Sequence, residues 1–314
     1  MSNTKLTSAQ RDRGVGILVG AAAGDALGAG HEFNPPMKAD LQIGMIGGGL
    51  GPFAPGEWTD DTSMAIAIAE IAATGADLRA EKSLDYIVER WHWWARTAKG
   101  IGNQTATVLS AAGKQGVSAV TAREESEALH RRTGRSAGNG SLMRTAPVAL
   151  AYLHDEAALA QAARTISELT HFDPDAGDAC VLWCTAIRHA VLTGELDVRI
   201  GLTHIDADRR GLWRARLAEA QERPPSAFTA ANGWVVAALQ AAWSAIATTP
   251  VPAEEPAAGA FRVGHLSRAL EAAVRSGGDT DTVAAIAGGA TRCGLRSLGC
   301  AMAVAARSQG LAGP

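Results

Sequence analysis

Residues 58–74 read WTDDTSMAIAIAEIAAT, an acidic cluster that runs directly into an apolar helical pattern. Residues 277–288, near the other end of the chain, read GGDTDTVAAIAG and have the same arrangement. Asp and Thr are favoured at helix starts, where they cap free N–H groups and match the helix dipole. Each cluster nevertheless holds more acids than one cap needs, and unpaired carboxylates beside a core are costly unless a cation neutralises them. Spacing alone therefore leaves two interpretations open, a pair of helix caps or a shared site for Mg²⁺ or Mn²⁺.

Helical periodicity dominates the rest of the chain. Apolar residues recur with a period of about 3.6, alanine is frequent, and strand-like alternation is almost absent. The pattern predicts a single all-α domain, with any strands short and peripheral. We expect residues 1–10 to be flexible, residues 11–304 to form the folded domain and residues 305–314 to fray. The predicted helices cover residues 11–29, 60–74, 82–97, 103–113, 121–132, 141–152, 156–169, 176–193, 209–221, 233–247, 265–275 and 281–291.

Composition narrows the functional classes. The 314 residues carry a net charge of −3, which gives no electrostatic reason to expect nucleic-acid or membrane binding. No apolar run reaches the roughly 18 residues that a membrane span requires. The four cysteines form no C-x-x-C pair, and their low number is typical of proteins in the reducing cytoplasm. We expect Cys180 and Cys184, one helical turn apart, to pack in the apolar core.

Several single residues allow two interpretations. Asp25 lies between small residues in an apolar helix, so it needs a partner. It is expected either to hold a metal ligand or a Thr hydroxyl, or to accept a helix-end hydrogen bond from local backbone. Residues 138–141 are either an anion-binding turn or a plain turn in which Ser141 caps the next helix. Arg144 is expected to pair with a phosphate or with an acid, and Asp178 to lie on a helix surface. Core packing is expected for at least two of Trp91, Trp93 and Trp94.

Five motifs in a fixed order resemble the ADP-ribosylglycohydrolase family, whose members include the dinitrogenase-reductase activating glycohydrolase and the ADP-ribosyl-acceptor hydrolases. The similarity covers roughly residues 11–291 and fades from about Arg292, so the tail of the chain is not matched. Without the resemblance, Glu32 is also consistent with a capping or surface acid beside Pro35 and Pro36. The motifs are GDALG at residues 24–28 with Glu32, WTDDT at 58–62, GNGSLMR at 138–144, LTH at 169–171 and GGDTDT at 277–282.

The resemblance implies an orthogonal α-helical bundle with two Mg²⁺ or Mn²⁺ ions in a cleft. It implies that Glu32, Asp60 and Asp281 are catalytic, with Glu32 near the bound water or the scissile ribose. It places His171 beside the substrate without making it a metal ligand. The implied metal ligands are Thr59, Asp60, Asp61, Asp279, Asp281 and Thr282. The residues implied to hold the diphosphate through their backbone amides are Gly138, Asn139, Gly140, Ser141, Leu142 and Met143.

The function implied by the resemblance is hydrolysis of the glycosidic bond that joins ADP-ribose to a protein side chain, above all arginine. Serine-linked ADP-ribose and O-acetyl-ADP-ribose remain open as substrates. A non-catalytic ADP-ribose binder and a metal-dependent phosphohydrolase acting on nucleotides are the other functional classes. We expect a monomer in the cytoplasm whose partner is an ADP-ribosylated protein or a small ADP-ribose conjugate.

Overall fold

Twelve α-helices form most of the part of the chain that the computed structural model describes, residues 5–252 and 264–290. Backbone pairing between these residues is limited to isolated bridges, so the predicted all-α fold is confirmed. No helix in this part is long and apolar enough to cross a membrane. The segment after Arg292, with the predicted frayed tail 305–314, lies outside the described residues. The helices are α1 Ser8–Gly28, α2 Asp60–Ala73, α3 Glu81–Ala95, α4 Asn103–Gln115, α5 Ala119–Thr133, α6 Ala146–Ala151, α7 Glu156–Glu168, α8 Pro174–Thr193, α9 Arg210–Glu222, α10 Val235–Thr248, α11 Gly264–Arg275 and α12 Thr280–Gly288.

Each predicted helical range overlaps one of these helices, and most boundaries differ by one to three residues. Two of the differences have clear local causes. Helix α1 starts before residue 11 because Thr7 and Gln10 form a capping box at its N-terminus. Helix α6 starts later than predicted, at Ala146, because residues 139–141 form a 3₁₀ turn. The expected cap is also wrong, since the hydroxyl of Ser141 accepts a hydrogen bond from Ser167 (2.9 Å) and caps no helix.

Helices α1 and α12 approach each other so closely that only glycine fits between their backbones. A Cβ atom at Gly24 would lie 2.1 Å from the carbonyl oxygen of Ala284. A Cβ atom at Gly288 would lie 2.0 Å from the carbonyl oxygen of Gly20. Missing side chains allow backbones this close, as they do at other small-residue helix contacts. The contact fixes where α12 begins, and α12 carries the second acidic cluster.

Helix α8 runs through the core and is apolar on nearly all of its faces, as expected for a buried helix. Cys180 and Cys184 are buried in it, which confirms their predicted position. The indole N–H of Trp183 donates to the carbonyl oxygen of Ile286 (3.1 Å), which ties α8 to α12. The core therefore supports α12 at a point C-terminal to the second acidic cluster.

The surface position expected for Asp178 is wrong. Its side chain on α8 is 1% exposed and accepts hydrogen bonds from Arg164 (2.7 Å) and Arg209 (2.6 Å). Both arginines come from other elements, so the helical pattern of α8 alone could not reveal the pairing. The expectation for the tryptophans is confirmed, because Trp91 is fully buried and Trp94 packs against the core, whereas Trp93 is exposed.

Candidate metal centre and substrate cleft

The two acidic clusters lie side by side at the N-termini of α2 and α12. The hydroxyl oxygen of Thr59 connects them, because it lies 3.0 Å from Asp61 Oδ2 and 3.2 Å from Asp281 Oδ2. It also lies 2.9 Å from Asp25 Oδ1. One hydroxyl has a single proton to donate, so two of these three contacts bring oxygen lone pairs together without a hydrogen between them. Such crowding requires a bound cation or an added proton.

The carboxylates form two groups that share Asp281. Asp25, Asp61 and Asp281 form one group, and Glu32, Asp279 and Asp281 form the other. Within each group, one oxygen of every residue lies within 4.8 Å of the others. Two acidic groups with a common carboxylate are the donor arrangement that a pair of hard divalent cations requires.

Asp25 differs from the other carboxylates because its oxygens are already saturated with hydrogen bonds. Its Oδ1 accepts from the N–H and the hydroxyl of Thr59 (both 2.9 Å). Its Oδ2 accepts from the N–H (3.0 Å) and the hydroxyl (2.6 Å) of Thr62. Burial raises the pKa of Asp25, while these four bonds oppose that rise. Asp25 therefore anchors the N-terminus of α2, and its partners include the Thr hydroxyl that one of the sequence interpretations expected.

Two carboxylate oxygens of the cluster have no hydrogen-bond partner among the described residues. They are Oδ1 of Asp61 and Oδ1 of Asp281, and both are buried. Burial first, and neighbouring carboxylates second, raise the pKa of both groups well above its usual range. Every ion pair formed within residues 5–252 and 264–290 lies elsewhere. The residues therefore fit bound divalent cations, whose charge and open coordination positions would satisfy these oxygens.

The acids that face the cleft are also perturbed. Burial, followed by the charge of Asp279, raises the pKa of Glu32 to about 7. Burial raises the pKa of Asp60 to about 6, although the N–H of Gly102 donates to its Oδ2 (3.0 Å) and opposes the rise. A carboxyl group that titrates near neutral pH can accept and return a proton during a reaction.

Asp279 is held by two asparagines from other segments. Asn139 Nδ2 donates to Asp279 Oδ2 (2.8 Å) and to the carbonyl oxygen of Asn232 (2.9 Å). The side-chain oxygen of Asn232 accepts from the backbone N–H of Asp279 (3.0 Å). Sequence reasoning missed Asn232, whose signal is an Asn-Gly pair before α10, typical of a turn. The pair of asparagines fixes one carboxylate of the second group.

A cleft of about 490 Å³ opens above the carboxylates. Asp61 lies behind it, while Ser141 and Leu142 are buried next to it and do not line it. Residues 100–105, around the start of α4, also line the cleft, as do Phe33, Leu50 and Gly233. For residues 100–105, the sequence signal was the Gly-x-Gly pattern that precedes α4. The implied site residues that do line the cleft are Glu32, Thr59, Asp60, Gly138, Asn139, Gly140, Met143, His171, Asp279, Asp281 and Thr282.

Arg144 occupies a position that neither sequence interpretation predicted. Its guanidinium is fully buried and stacks on the ring of Trp91, with Cζ 3.9 Å from the ring centroid. Its Nη2 donates to the hydroxyl of Thr170 (2.7 Å). Burial lowers the pKa of Arg144 to about 9. The expected pairing with a phosphate or an acid is therefore wrong, because the side chain points into the core below the cleft.

Comparison with known proteins agrees with this geometry. An ADP-ribosylglycohydrolase family model matches residues 6–296. The ADP-ribosylarginine hydrolase Tri1 of Pseudomonas putida (strain GB-1) is 32% identical over 187 residues, which cover 58% of this chain and 47% of that protein. The ADP-ribosyl-[dinitrogen reductase] glycohydrolase of Rhodospirillum rubrum is 31% identical over 187 residues, which cover 57% of this chain and 58% of that protein. The matches thus span about half the length of these curated relatives.

A solved structure extends the similarity to the whole fold. An ADP-ribosylglycohydrolase-related protein complex superposes with a TM-score of 0.64 and 27% sequence identity. The superposition covers 93% of this chain and 91% of that one. Because the family model matches nearly the whole length of this chain, the chain belongs to the ADP-ribosylglycohydrolase family.

Proposed function

We propose that this protein is a divalent-metal-dependent hydrolase that releases ADP-ribose from a modified protein side chain, with ADP-ribosyl-arginine as its substrate. The observation that carries the proposal is the pair of carboxylate groups around Asp281, with buried oxygens that lack partners. The names of the relatives, an ADP-ribosylarginine hydrolase and an ADP-ribosyl-[dinitrogen reductase] glycohydrolase, support the choice of substrate. We further propose that residues 11–304 form the catalytic domain of a cytoplasmic monomer.

The proposed metal ligands come from both helix N-termini. Asp61 and Asp281 are the strongest candidates, because each has a buried oxygen without a hydrogen. Among the neighbouring acids, Asp25 is the weakest candidate for a metal ligand, since Thr59 and Thr62 use all its acceptor positions. Bound Mg²⁺ or Mn²⁺ would bind the ribose hydroxyls and lower the pKa of a water molecule. The full proposed ligand set is Thr59, Asp60, Asp61, Asp279, Asp281 and Thr282.

Glu32 is proposed as the group that moves the proton. Its carboxyl lines the cleft, so it can reach a water molecule or a substrate atom bound there. It accepts a proton from the attacking water as the new bond from oxygen to C1″ forms. The bond from nitrogen to C1″ breaks in the same step, and Glu32 gives a proton to the departing guanidine nitrogen. Asp60 and Asp281 flank the same part of the cleft and hold the sugar and the water in place.

ADP-ribose fits the size and the lining of the cleft. The volume of the cleft, about 490 Å³, lies within the range of roughly 300–1,000 Å³ that is usual for small-molecule sites. We propose that the backbone of residues 138–143 faces the diphosphate. The N–H groups of Leu142 and Met143 already donate to the carbonyl oxygen of Asn139 (2.9 and 3.2 Å), and the N–H of Asn139 donates to that of Gly233 (3.1 Å). The N–H groups of Gly138 and Gly140 therefore carry most of this contact.

The test is a panel of arginine-, serine- and acetyl-linked ADP-ribose, each assayed with Mg²⁺, with Mn²⁺ and with a chelator. We expect free ADP-ribose as the product, fastest turnover of the arginine-linked substrate, and loss of activity with chelator. AMP as the product would instead identify a phosphohydrolase. Tight binding of ADP-ribose without turnover of any conjugate would identify a non-catalytic binder. Preference for a serine- or acetyl-linked substrate would refute the proposed acceptor only.

A further inference from the structure

Below the cleft lies a buried cation that no carboxylate pairs with. The guanidinium of Arg144 is fully buried, and none of the ion pairs within the described part of the chain includes it. Its Nε has no hydrogen-bond partner there. A buried charge of this kind is costly, and the ring of Trp91 offsets only part of the cost. Its position therefore requires an explanation other than stability.

The contacts of Arg144 lead directly to the cleft. Its Nη2 lies 2.7 Å from Thr170 Oγ1, and Thr170 Oγ1 lies 2.7 Å from His171 Nδ1. The His171 ring lines the cleft beneath the glycine turn. A Cβ atom at Gly138 or Gly140 would lie 3.2 or 3.1 Å from His171 Nε2, so the ring nitrogen sits directly under this turn.

The chemistry of the three groups fixes the direction of each hydrogen bond. A guanidinium can only donate, so the oxygen of Thr170 accepts from Arg144. The hydroxyl proton then needs an acceptor, and the nearest one is Nδ1 of His171. If Nδ1 carried a proton instead, the buried hydroxyl of Thr170 would lose its acceptor, which is unfavourable for a buried donor. The arrangement of lowest energy therefore has the imidazole proton on Nε2.

The same surroundings keep the imidazole neutral. His171 is 2% exposed, and burial together with the charge of Arg144 lowers its pKa well below the usual range. No hydrogen bond within residues 5–252 and 264–290 uses its Nε2. A neutral N–H donor therefore faces the cleft and has no hydrogen-bond acceptor in the described part of the chain.

We propose that Arg144 is a positioning residue that acts through Thr170 to hold His171 as a neutral Nε2–H donor to an oxygen atom of the ligand. In this role His171 neither transfers a proton nor binds a metal through Nε2. That the ligand oxygen belongs to ADP-ribose rests on the proposed function. The tautomer does not, because it follows from hydrogen bonds within the protein.

The test uses the full chain, labelled with ¹⁵N at histidine, and multiple-bond ¹⁵N–¹H correlation spectra that distinguish the two neutral tautomers from imidazolium. The His171→Gln variant assigns the His171 signals among the eight histidines. We expect the Nε2–H tautomer in the wild type near neutral pH and in Thr170→Ser, which keeps the hydroxyl. Thr170→Val, which has the same shape without a hydroxyl, should show a mixture of tautomers. The matched control is Thr185→Val, which removes another fully buried hydroxyl, one that bonds only within α8 (2.8 Å to Val181 O).

A second measurement tests whether the Nε2–H donor of His171 contributes to ligand affinity. Isothermal titration with free ADP-ribose and Mg²⁺ should show roughly tenfold weaker binding for Thr170→Val, equal to about 1.4 kcal/mol. Thr170→Ser and Thr185→Val should remain within about threefold of the wild type, and any turnover defect of Thr170→Val should appear in KM before kcat.

Three results would overturn the inference. The first is an Nδ1–H tautomer or an imidazolium in the wild type, which decides the matter even if Thr170→Val does not fold. The second is an unchanged spectrum for folded Thr170→Val. The third is a changed tautomer with unchanged ADP-ribose affinity, which would remove the donor role. A wild type that has the expected tautomer but binds no ADP-ribose would refute the proposed function and leave the hydrogen-bond relay supported.

Discussion

Replacing Gly28 by alanine should damage the proposed metal centre without touching any of its side chains. Gly28 is the last residue of α1 and lies against the first turn of α12. An added Cβ atom would lie 2.4 Å from both Cα and the backbone nitrogen of Asp281, whereas ordinary contacts begin at 3.4 Å. Backbone cannot rotate away as a flexible side chain can, so the start of α12 must move by about 1 Å.

The expected size of the effect follows from what this movement disturbs. Overpacking a well-filled contact costs about 1–3 kcal/mol, and a clash of the added Cβ atom with the backbone of another helix falls at the upper end of that range. Asp281 belongs to both carboxylate groups, so its displacement alters both proposed ion sites together. Metal sites tolerate distance errors of only about 0.2 Å. We therefore expect Gly28→Ala to lose about 3 kcal/mol of unfolding free energy and 10- to 100-fold in Mn²⁺ affinity, comparable to the loss of a supporting residue.

The assay is urea unfolding in chelator together with calorimetric titration of Mn²⁺. The matched control is Gly14→Ala in the same helix, where the added Cβ would lie 3.7 Å from the nearest side-chain atom, an ordinary contact. Alanine favours helix over glycine by up to about 1 kcal/mol, so this control should be neutral or slightly stabilised. If Gly28→Ala matches Gly14→Ala in both stability and Mn²⁺ affinity, the close contact between α1 and α12 does not position the site.

Three further predictions concern the carboxylates. Asp281→Asn should abolish turnover of ADP-ribosyl-arginine but leave the metal-free protein folded, because it removes one of several crowded acids; activity near that of the wild type would exclude Asp281 as a ligand. Glu32→Gln should retain Mn²⁺ binding by calorimetry and slow turnover at least roughly 10²-fold, as expected when acid–base help is lost; rapid turnover would remove Glu32 from the mechanism. The third prediction is that metal-free stability in urea falls as the pH rises from 5 to 8, because Asp60 (pKa about 6) and Glu32 (pKa about 7) hold their protons more tightly folded than unfolded. Saturating Mn²⁺ should cancel this fall, and a metal-free protein that gains stability over that pH range would contradict the raised pKa values.

The helices could be predicted from sequence because each carries its own periodic signal, which tertiary contacts rarely override over ten or more residues. Ser141 shows where local reasoning fails. A serine after glycine is typical of a helix cap, but the hydroxyl of Ser141 accepts a hydrogen bond from Ser167 of α7, and the helix starts later. Asp178 fails for the same reason, since its arginine partners come from distant segments. In each case a partner far along the chain decides the outcome.

The residues of the candidate site show the same distinction between local sequence signals and contacts made in space. Acids concentrated in short motifs, such as Asp60 and Asp281, could be selected from sequence because their density exceeds what capping requires. Asn232 carries no such excess, and its role depends on its meeting Asp279 in space. Arg144 was selected for its charge, but the buried ring of Trp91 directs that charge away from the cleft. Motif density thus predicts the residues that face a ligand, whereas the residues that hold them in place require the structure.

The metal-free protein must tolerate a cluster of acids in its interior, and two features of the fold offset that cost. The N-termini of α2 and α12 both point at the cluster, so the positive ends of their dipoles face the carboxylates. The four hydrogen bonds from Thr59 and Thr62, at the start of α2, satisfy both oxygens of Asp25. The buried Oδ1 atoms of Asp61 and Asp281 still lack a hydrogen-bond partner among the described residues. Since this residual cost disappears when a cation binds, metal affinity and folding stability must be linked, and any variant that relieves the crowding without metal should bind metal less tightly.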